Sequence, residues 1–297
     1  MTELAGHHVW IDGSLAPADA RHLSAYDRGF QLGDGVFETL RARSGRPTEL
    51  DEHLARLRHS AMGLGIAVDD DLEEHVGAGI DALLAADGLN RAESDASVRI
   101  TLSRGTMTGR GVLPIEVSHA TVVIQAWPVG PPPPDHLSRG LHLVSSSVRR
   151  DPSNPLAALK TTSRADYVFA RLEARRAGAD DALFLTIDGH LSEATSANLF
   201  LVRGLELVTP GLDNAILPGT TRSWILAWAI GAGLQAVEGR LTRADLAGAD
   251  EAFLCSSVAG ILPVTRFDGA PIASGRPGPW TARAREAREA FILGSPE

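Results

Sequence analysis

Lysine is almost missing from this chain. Of 28 basic residues in 297, one is lysine, Lys160, and the rest are arginines. Cysteine is reduced to Cys255, which excludes an internal disulfide framework and fits a reducing compartment. Basic charge is in deficit, 28 Lys+Arg against 37 Asp+Glu. That balance argues against nucleic acid or an anionic membrane surface as partner, since both need a basic face. Long hydrophobic runs are absent too. The most continuous one, Trp224 to Leu234, is too short to span a bilayer and contains glycines. The start, Met1-Thr-Glu-Leu4, has neither a basic n-region nor an apolar h-region, so the expectation is a soluble cytoplasmic protein with no signal peptide. The dinucleotide-binding, Walker A, H-E-x-x-H and G-x-S-x-G motifs are all missing, and the ten histidines do not fall at metal-ligand spacings, so no metal site is expected.

What is present is an ordinary globular composition, 44% apolar and 22% charged, at a length that suggests two domains. Within it, the surviving lysine draws the eye. Arginine can replace lysine as a charge or an ion-pair partner, but a guanidinium cannot lose its proton and condense with an aldehyde. Imine formation is what a primary amine alone offers. A compositional bias toward arginine explains the other positions; Lys160 is where that bias stops.

Four consecutive prolines in Trp127-Pro-Val-Gly-Pro-Pro-Pro-Pro-Asp135 cannot join a sheet or a helix interior. They read as a stiff connector over 127–135 between a domain at 1–126 and a domain at 136–297. In the first, Asp12-Gly13-Ser14 signals a hairpin between Val9–Ile11 and Leu15. A second hairpin runs from Val36 to Ala42, turns at Ser44–Pro47 and returns through Leu50. Leu50, Leu54, Leu57, Ala61 and Leu64 then mark one apolar helical face, with His53, Arg56 and Ser60 on a more polar neighbouring face. A helix over Leu72–Ala86 and strands over Ser97–Ser103 and Ala120–Gln125 complete it. In the second domain, strands are expected at Leu141–Val148, Ala182–Ile187, His190–Glu193, Asn198–Val202, Leu205–Val208, Ala252–Ser256 and Leu262–Thr265. Helices are expected over Ser163–Ala177 with Ala165, Val168 and Leu172 inward, from Pro218 to Gly231, and over Thr281–Leu293. Strands and helices mix without regular βαβ alternation, so the fold class is α+β.

Four features suit a phosphorylated aldehyde next to Lys160. Leu217-Pro218-Gly219-Thr220-Thr221 opens an apolar helix whose N–H groups, hydroxyls and positive dipole end suit an anion, although a plain helix start would look the same. Ser256-Ser257 at a strand end adds hydroxyls, a common turn feature. Arg56 projects from the first helix, as many solvated arginines do. Glu193, closing a strand, would keep a pyridine nitrogen protonated if buried and would be unremarkable if exposed.

Together these stations resemble the class IV aminotransferases, the fold-type IV pyridoxal-phosphate enzymes. The resemblance rests on Asp27-Arg-Gly-Phe-Gln-Leu-Gly-Asp-Gly-Val-Phe-Glu38, His53-Leu-Ala-Arg-Leu57, Leu159-Lys-Thr161, Glu193-Ala-Thr-Ser-Ala-Asn-Leu-Phe200, Ile216-Leu-Pro-Gly-Thr-Thr-Arg222, Phe253-Leu-Cys-Ser-Ser257 and Leu262-Pro-Val264, in that order. It implies a small α+β domain and a larger pseudo-barrel domain with pyridoxal 5'-phosphate between them. It also implies a homodimer whose active sites form at the interface, acting on amino acid and 2-oxo acid substrates. By the same resemblance Lys160 forms the Schiff base and shuttles the proton at substrate Cα, Glu193 pairs with the pyridine nitrogen, and Leu217 packs on the ring. Arg56, Gly219, Thr220, Thr221 and Ser257 hold the phosphate.

The resemblance narrows less well to one member. A D-amino-acid type uses a tyrosine in the strand after G-D-G and an arginine and histidine two apart in a later loop; here the strand has Phe37, and Val112 takes the histidine place after Arg110. Branched-chain enzymes show F-E-G where this chain has Phe37-Glu38-Thr39. A tyrosine five residues past the lysine, which in those enzymes bonds the cofactor 3-oxygen, is Ala165 here. The expectation is a transaminase with a rearranged carboxylate trap built on Arg28, Arg104 or Arg110, selective for D-amino acids or R-amines. The alternatives are 4-amino-4-deoxychorismate lyase, similar at Ser103-Arg-Gly and Gly109-Arg-Gly, and a non-catalytic binding member.

Overall fold

Turns come where the local chemistry asks for them. In the computed structural model, which describes residues 6–109, 111–114 and 119–294, Asp12 and Gly13 both have positive φ, 43° and 93°. Two such residues give the mirror-image turn that matches strand twist. That turn joins β1 (His8–Ile11) to β2 (Ser14–Pro17). A short helix α1 (Arg28–Leu32), N-capped by the Asp27 carboxylate, precedes β3 (Gly35–Arg43). β3 turns through Ser44 and Gly45 into β4, which is only Arg46–Pro47. The return strand expected to reach Leu50 is therefore cut short, because Leu50 opens helix α2 (Leu50–Gly63). Helix α3 (Leu72–Ala86), β5 (Asp95–Ser103) and β6 (Thr121–Pro128) follow.

These strands form a six-stranded sheet in the order β2-β1-β6-β5-β3-β4. Successive residues on a strand point to opposite faces. Val36, Leu40 and Ala42 of β3 and Ala96, Val98, Ile100 and Leu102 of β5 therefore share one face. Leu54, Leu57 and Ala61 of α2 and Val76, Ile80 and Leu83 of α3 bury that face, each large aliphatic contributing roughly 1.5–3 kcal/mol.

The remaining elements are α4 (Pro134–Ser138), β7 (Leu141–Arg150), α5 (Ala165–Arg176), β8 (Asp181–Thr186), β9 (Leu191–Ala194), β10 (Asn198–Arg203), β11 (Glu206–Pro210), α6 (Thr220–Gly231), β12 (Gln235–Gly239), α7 (Arg243–Ala247), β13 (Glu251–Ser256), β14 (Gly260–Phe267), β15 (Ala270–Pro271) and α8 (Pro279–Leu293). Their nine-stranded sheet runs β12-β11-β10-β13-β14-β7-β8-β9, with β15 on β14. β9 ends that path, yet three residues of chain carry it into β10 near the other end, so the sheet curls back on itself. Phe200 and Phe253 stack at 5.2 Å in its core against α6 and α8.

Three readings change. The proline-rich 127–135 run overlaps regular structure at both ends: Trp127 and Pro128 belong to β6, and Pro134 sits in the first turn of α4, where a missing N–H costs nothing. Helix α5 buries Ala170 and Ala174 against Ala182 and Phe184, while Val168 and Leu172, expected inward, are exposed. Finally, the chain divides into two units, and Leu159–Arg164 groups with Met1–Gly130 rather than with its sequence neighbours.

Candidate active site

In the first unit an open strand edge decides where the single lysine goes. β4 pairs only with Ala42 and Arg43, so the first half of β3 has no strand on that side. Leu159–Arg164 fills the gap. The Phe37 N–H donates to the Lys160 carbonyl at 2.9 Å, the Thr162 N–H donates to Gly35 at 2.9 Å, and Val36 bridges Thr161. The Lys160 N–H in turn donates to Ser60 Oγ at 3.2 Å. With its backbone held on both sides, Lys160 places Nζ 4.7 Å from the centroid of the Phe37 ring.

Glu38 lies in the helix-facing row of β3, among residues that are otherwise apolar. Its carboxylate is completely buried and accepts Arg56 Nε at 2.7 Å on Oε1 and Arg56 Nη2 at 2.7 Å on Oε2. His53 Nδ1 stands 2.7 Å from Oε2. Burial pushes this carboxyl up, but the hydrogen bonds from Arg56 and His53 and the charges of Arg56 and Lys160 outweigh it and hold the pKa down at about 2. The expected polar face of α2 is thus partly an interior face: His53 and Ser60 are fully buried.

Arg28 and Arg104 meet on one carboxylate, Asp34, with Nε contacts of 2.7 and 2.8 Å. Burial raises the Asp34 pKa, and the two arginines overcome this and lower it. Arg28 also donates to the carbonyls of Gly111 and Val112, and Arg104 to those of Leu64 and Gly65 at the end of α2. Both arginines therefore bind backbone and Asp34, fastening the loop after β5 and closing α2. Arg110 lies outside the described residues.

An arginine not singled out from sequence shares the Phe37 ring with the lysine. Arg99 lies 3.8 Å from the centroid of the Phe37 ring and Arg164 5.5 Å from it. Arg99 donates to Thr101 Oγ1 at 3.2 Å, and among the described residues no carboxylate pairs with it. Burial, and then the charge of Arg164, pull its pKa below the usual range. The alternation of β5 was the available signal, since Val98 and Ile100 inward put Arg99 on the face of Phe37.

In the second unit Glu193 of β9 is buried and held from both sides. Oε2 accepts the Leu217 N–H at 2.9 Å and Asn198 Nδ2 at 3.4 Å, while Oε1 accepts Arg150 Nη2 at 3.1 Å. Arg150 also bonds to the Tyr167 hydroxyl. Asn198 Nδ2 donates to the Leu217 carbonyl at 3.0 Å as well, so the Leu217 backbone is pinned at both its N–H and its carbonyl. Gly219 is the N-cap of α6; a Cβ there would stand 2.1 Å from Asn198 Oδ1. At the first turn of α6, Thr220 Oγ1 and Ser257 Oγ lie 3.2 Å apart. Thr221 is buried and receives Arg288 Nη2 at 3.4 Å. A helix start, two hydroxyls and a glycine that only glycine can occupy suit a phosphate monoester. Arg150 was missed in the sequence because its partner Glu193 lies far along the chain, and Asn198 stood only as part of the Glu193–Phe200 motif.

The sequence profile of the class IV amino-transferases matches residues 35–267. A putative branched-chain-amino-acid aminotransferase of Methanocaldococcus jannaschii is 33% identical over 94% of both chains. A D-alanine aminotransferase of Bacillus licheniformis is 30% identical over 96% of this chain and 97% of its own. Among solved structures, a T.th. branched-chain amino acid aminotransferase with pyridoxamine 5'-phosphate superposes with a TM-score of 0.89 at 28% identity, covering 99% of this chain and 96% of that one.

Proposed function

The chain belongs to the class IV aminotransferases, enzymes that use pyridoxal phosphate, and from that premise we propose that it moves the amino group of an aliphatic amino acid to a 2-oxo acid. The observation that carries this reading is the cluster on the Phe37 ring: the single lysine and Arg99, which among the described residues has no carboxylate partner. A primary amine needs no such cation; an amino acid does, for its α-carboxylate. We therefore assign the carboxylate to Arg99, aided by Arg164, in place of Arg28 and Arg104, whose donors are engaged elsewhere.

Pyridoxal phosphate, when bound, supplies an electron sink conjugated to the substrate Cα. The residues suit it on two counts, the Gly219 cradle and the buried, hydrogen-bonded carboxylate of Glu193. Lys160 takes the cofactor aldehyde and then moves the proton at substrate Cα, Glu193 holds the proton on the pyridine nitrogen, and Leu217 offers an apolar face. Thr220, Thr221, Ser257, the start of α6 and Arg56 are the residues we assign to the phosphate. Branched-chain relatives support the aliphatic side chain. A D-amino-acid preference is a second reading, favoured by the D-alanine aminotransferase likeness and by Thr39 in place of the glycine of branched-chain enzymes. The lyase gains no support, since the relatives described are aminotransferases. We also place the protein in the cytoplasm as a homodimer; exposed Tyr26, Phe30, Leu32, Val112 and Leu113 offer it an apolar contact surface. Among the described residues no helix is long and apolar enough to cross a membrane.

The test is spectral. L-leucine, L-valine and D-alanine are each mixed with the yellow holo-protein, and conversion to the aminated cofactor absorbing in the near ultraviolet is followed. One hand of an aliphatic amino acid converts it. If none does while a simple amine succeeds, the assignment of Arg99 is wrong.

A further inference from the structure

The Glu38, His53 and Arg56 cluster is costly for what it contributes to stability. A carboxylate in a core row of a sheet must be desolvated, and replacing such an ion pair by apolar residues is often neutral or stabilising. Its neighbours in the row, Val36, Leu40 and Ala42, show what packing alone would select. Two geometric facts point to a purpose. First, Glu38 grips Arg56 side-on, Nε and Nη2 against both carboxylate oxygens at 2.7 Å, which fixes the plane of the guanidinium. Second, the same face of α2 that carries His53 and Arg56 carries Ser60, which accepts the Lys160 N–H, while the residue before Glu38, Phe37, donates to the Lys160 carbonyl. Glu38 is thus tied to Arg56 through its side chain and to the lysine segment through its backbone neighbour.

We propose that Glu38, itself oriented by His53, is a positioning residue that fixes the plane in which the Arg56 guanidinium meets the cofactor's phosphate, in register with Lys160. This deepens the reading of Arg56 as a phosphate ligand and rests on it. The opposite role is also chemically open to Glu38: as the stronger partner it would withhold Arg56 from the phosphate.

Paired titrations separate these cases. The full-length protein, stripped of cofactor, is titrated with pyridoxal phosphate and with pyridoxal, which lacks the phosphate, by absorbance. The dissociation constant for pyridoxal divided by that for pyridoxal phosphate isolates what the phosphate contacts supply. Arg56→Lys and Glu38→Gln are each expected to lower the wild-type ratio by about tenfold or more, the range of a lost charge-assisted hydrogen bond. Pyridoxal affinity should stay within about twofold, a split that general loosening of the fold would not produce. The double variant should lose no more than either single one, since both act through one guanidinium. If Glu38→Gln proves unfolded by circular dichroism, Glu38→Asp takes its place with the same expected fall, because a carboxylate withdrawn by one methylene cannot span Nε and Nη2 while meeting His53. A ratio unchanged in the Glu38 variant while Arg56→Lys lowers it overturns the proposal, and a ratio that rises shows that Glu38 withholds Arg56. A ratio unchanged in Arg56→Lys, or no preference for pyridoxal phosphate in the wild type, defeats instead the reading on which the proposal rests.

Discussion

Substituting Gly219 by alanine isolates the contact that shapes the start of α6. The backbone there has φ −72° and ψ 138°, open to any residue, so the cost is steric alone. The new methyl would sit 2.1 Å from Asn198 Oδ1 and 3.3 Å from Asn198 Cγ and Arg222 Cβ. Asn198 is buried and must swing away, releasing its bonds to the Leu217 carbonyl and to Glu193. Overpacking of this kind costs about 1–3 kcal/mol and a lost hydrogen bond about 1 kcal/mol more. The expected total is about 2–4 kcal/mol, seen as a melting temperature lower by roughly 5–15 °C. Urea unfolding of Gly219→Ala, Asn198→Ala and the double variant measures it. If the clash is the cause, the double variant is no less stable than Asn198→Ala. Additive losses, or a single-variant loss under about 0.5 kcal/mol, would refute the reasoning.

The other expectations follow from the same contacts. Arg99→Met should leave thermal stability unchanged or raised, since a cation without a carboxylate partner is removed, yet lower kcat/KM for amino acids about 10–100-fold; a stability loss without a kinetic one contradicts the carboxylate assignment. Lys160→Arg keeps the charge but should abolish the visible band and slow turnover by at least about 100-fold; a coloured variant contradicts it. Glu38 is held near pKa 2 against an ordinary 4.5, so below pH 4.5 the unfolded chain binds a proton that the folded one refuses. Its contribution, on the order of 3 kcal/mol, is present above pH 4.5 and lost as pH falls toward 2. Urea titrations at pH 7, 4 and 3 should show that loss in the wild type and a flatter dependence in Glu38→Gln; equal slopes speak against the pairing.

What could be read from the sequence was local. Helix α3 was delimited to the residue because its apolar period is self-contained, and the hairpins at Asp12-Gly13 and Asp188-Gly189 follow from turn chemistry. Helix α5 shows the limit. Its larger apolar residues suggested one side, but Ala170 and Ala174 are the pair that Phe184 and β8 accept. The site was legible in its residue types and opaque in its partners. Lys160 stood out as the last lysine, whereas its pairing with Phe37 spans more than a hundred residues and leaves no periodic trace. Glu38 stood in the sequence only as the end of the Asp27–Glu38 motif, and nothing in that motif reveals that Arg56 and His53 satisfy it.

Borohydride reduction of the coloured holo-protein, followed by peptide mapping, tests the central claim directly. Because the chain has one lysine, the account predicts a single pyridoxyl-tagged peptide, containing Lys160. A tag confined to the N-terminal amine, or none on a protein that was yellow beforehand, would contradict it.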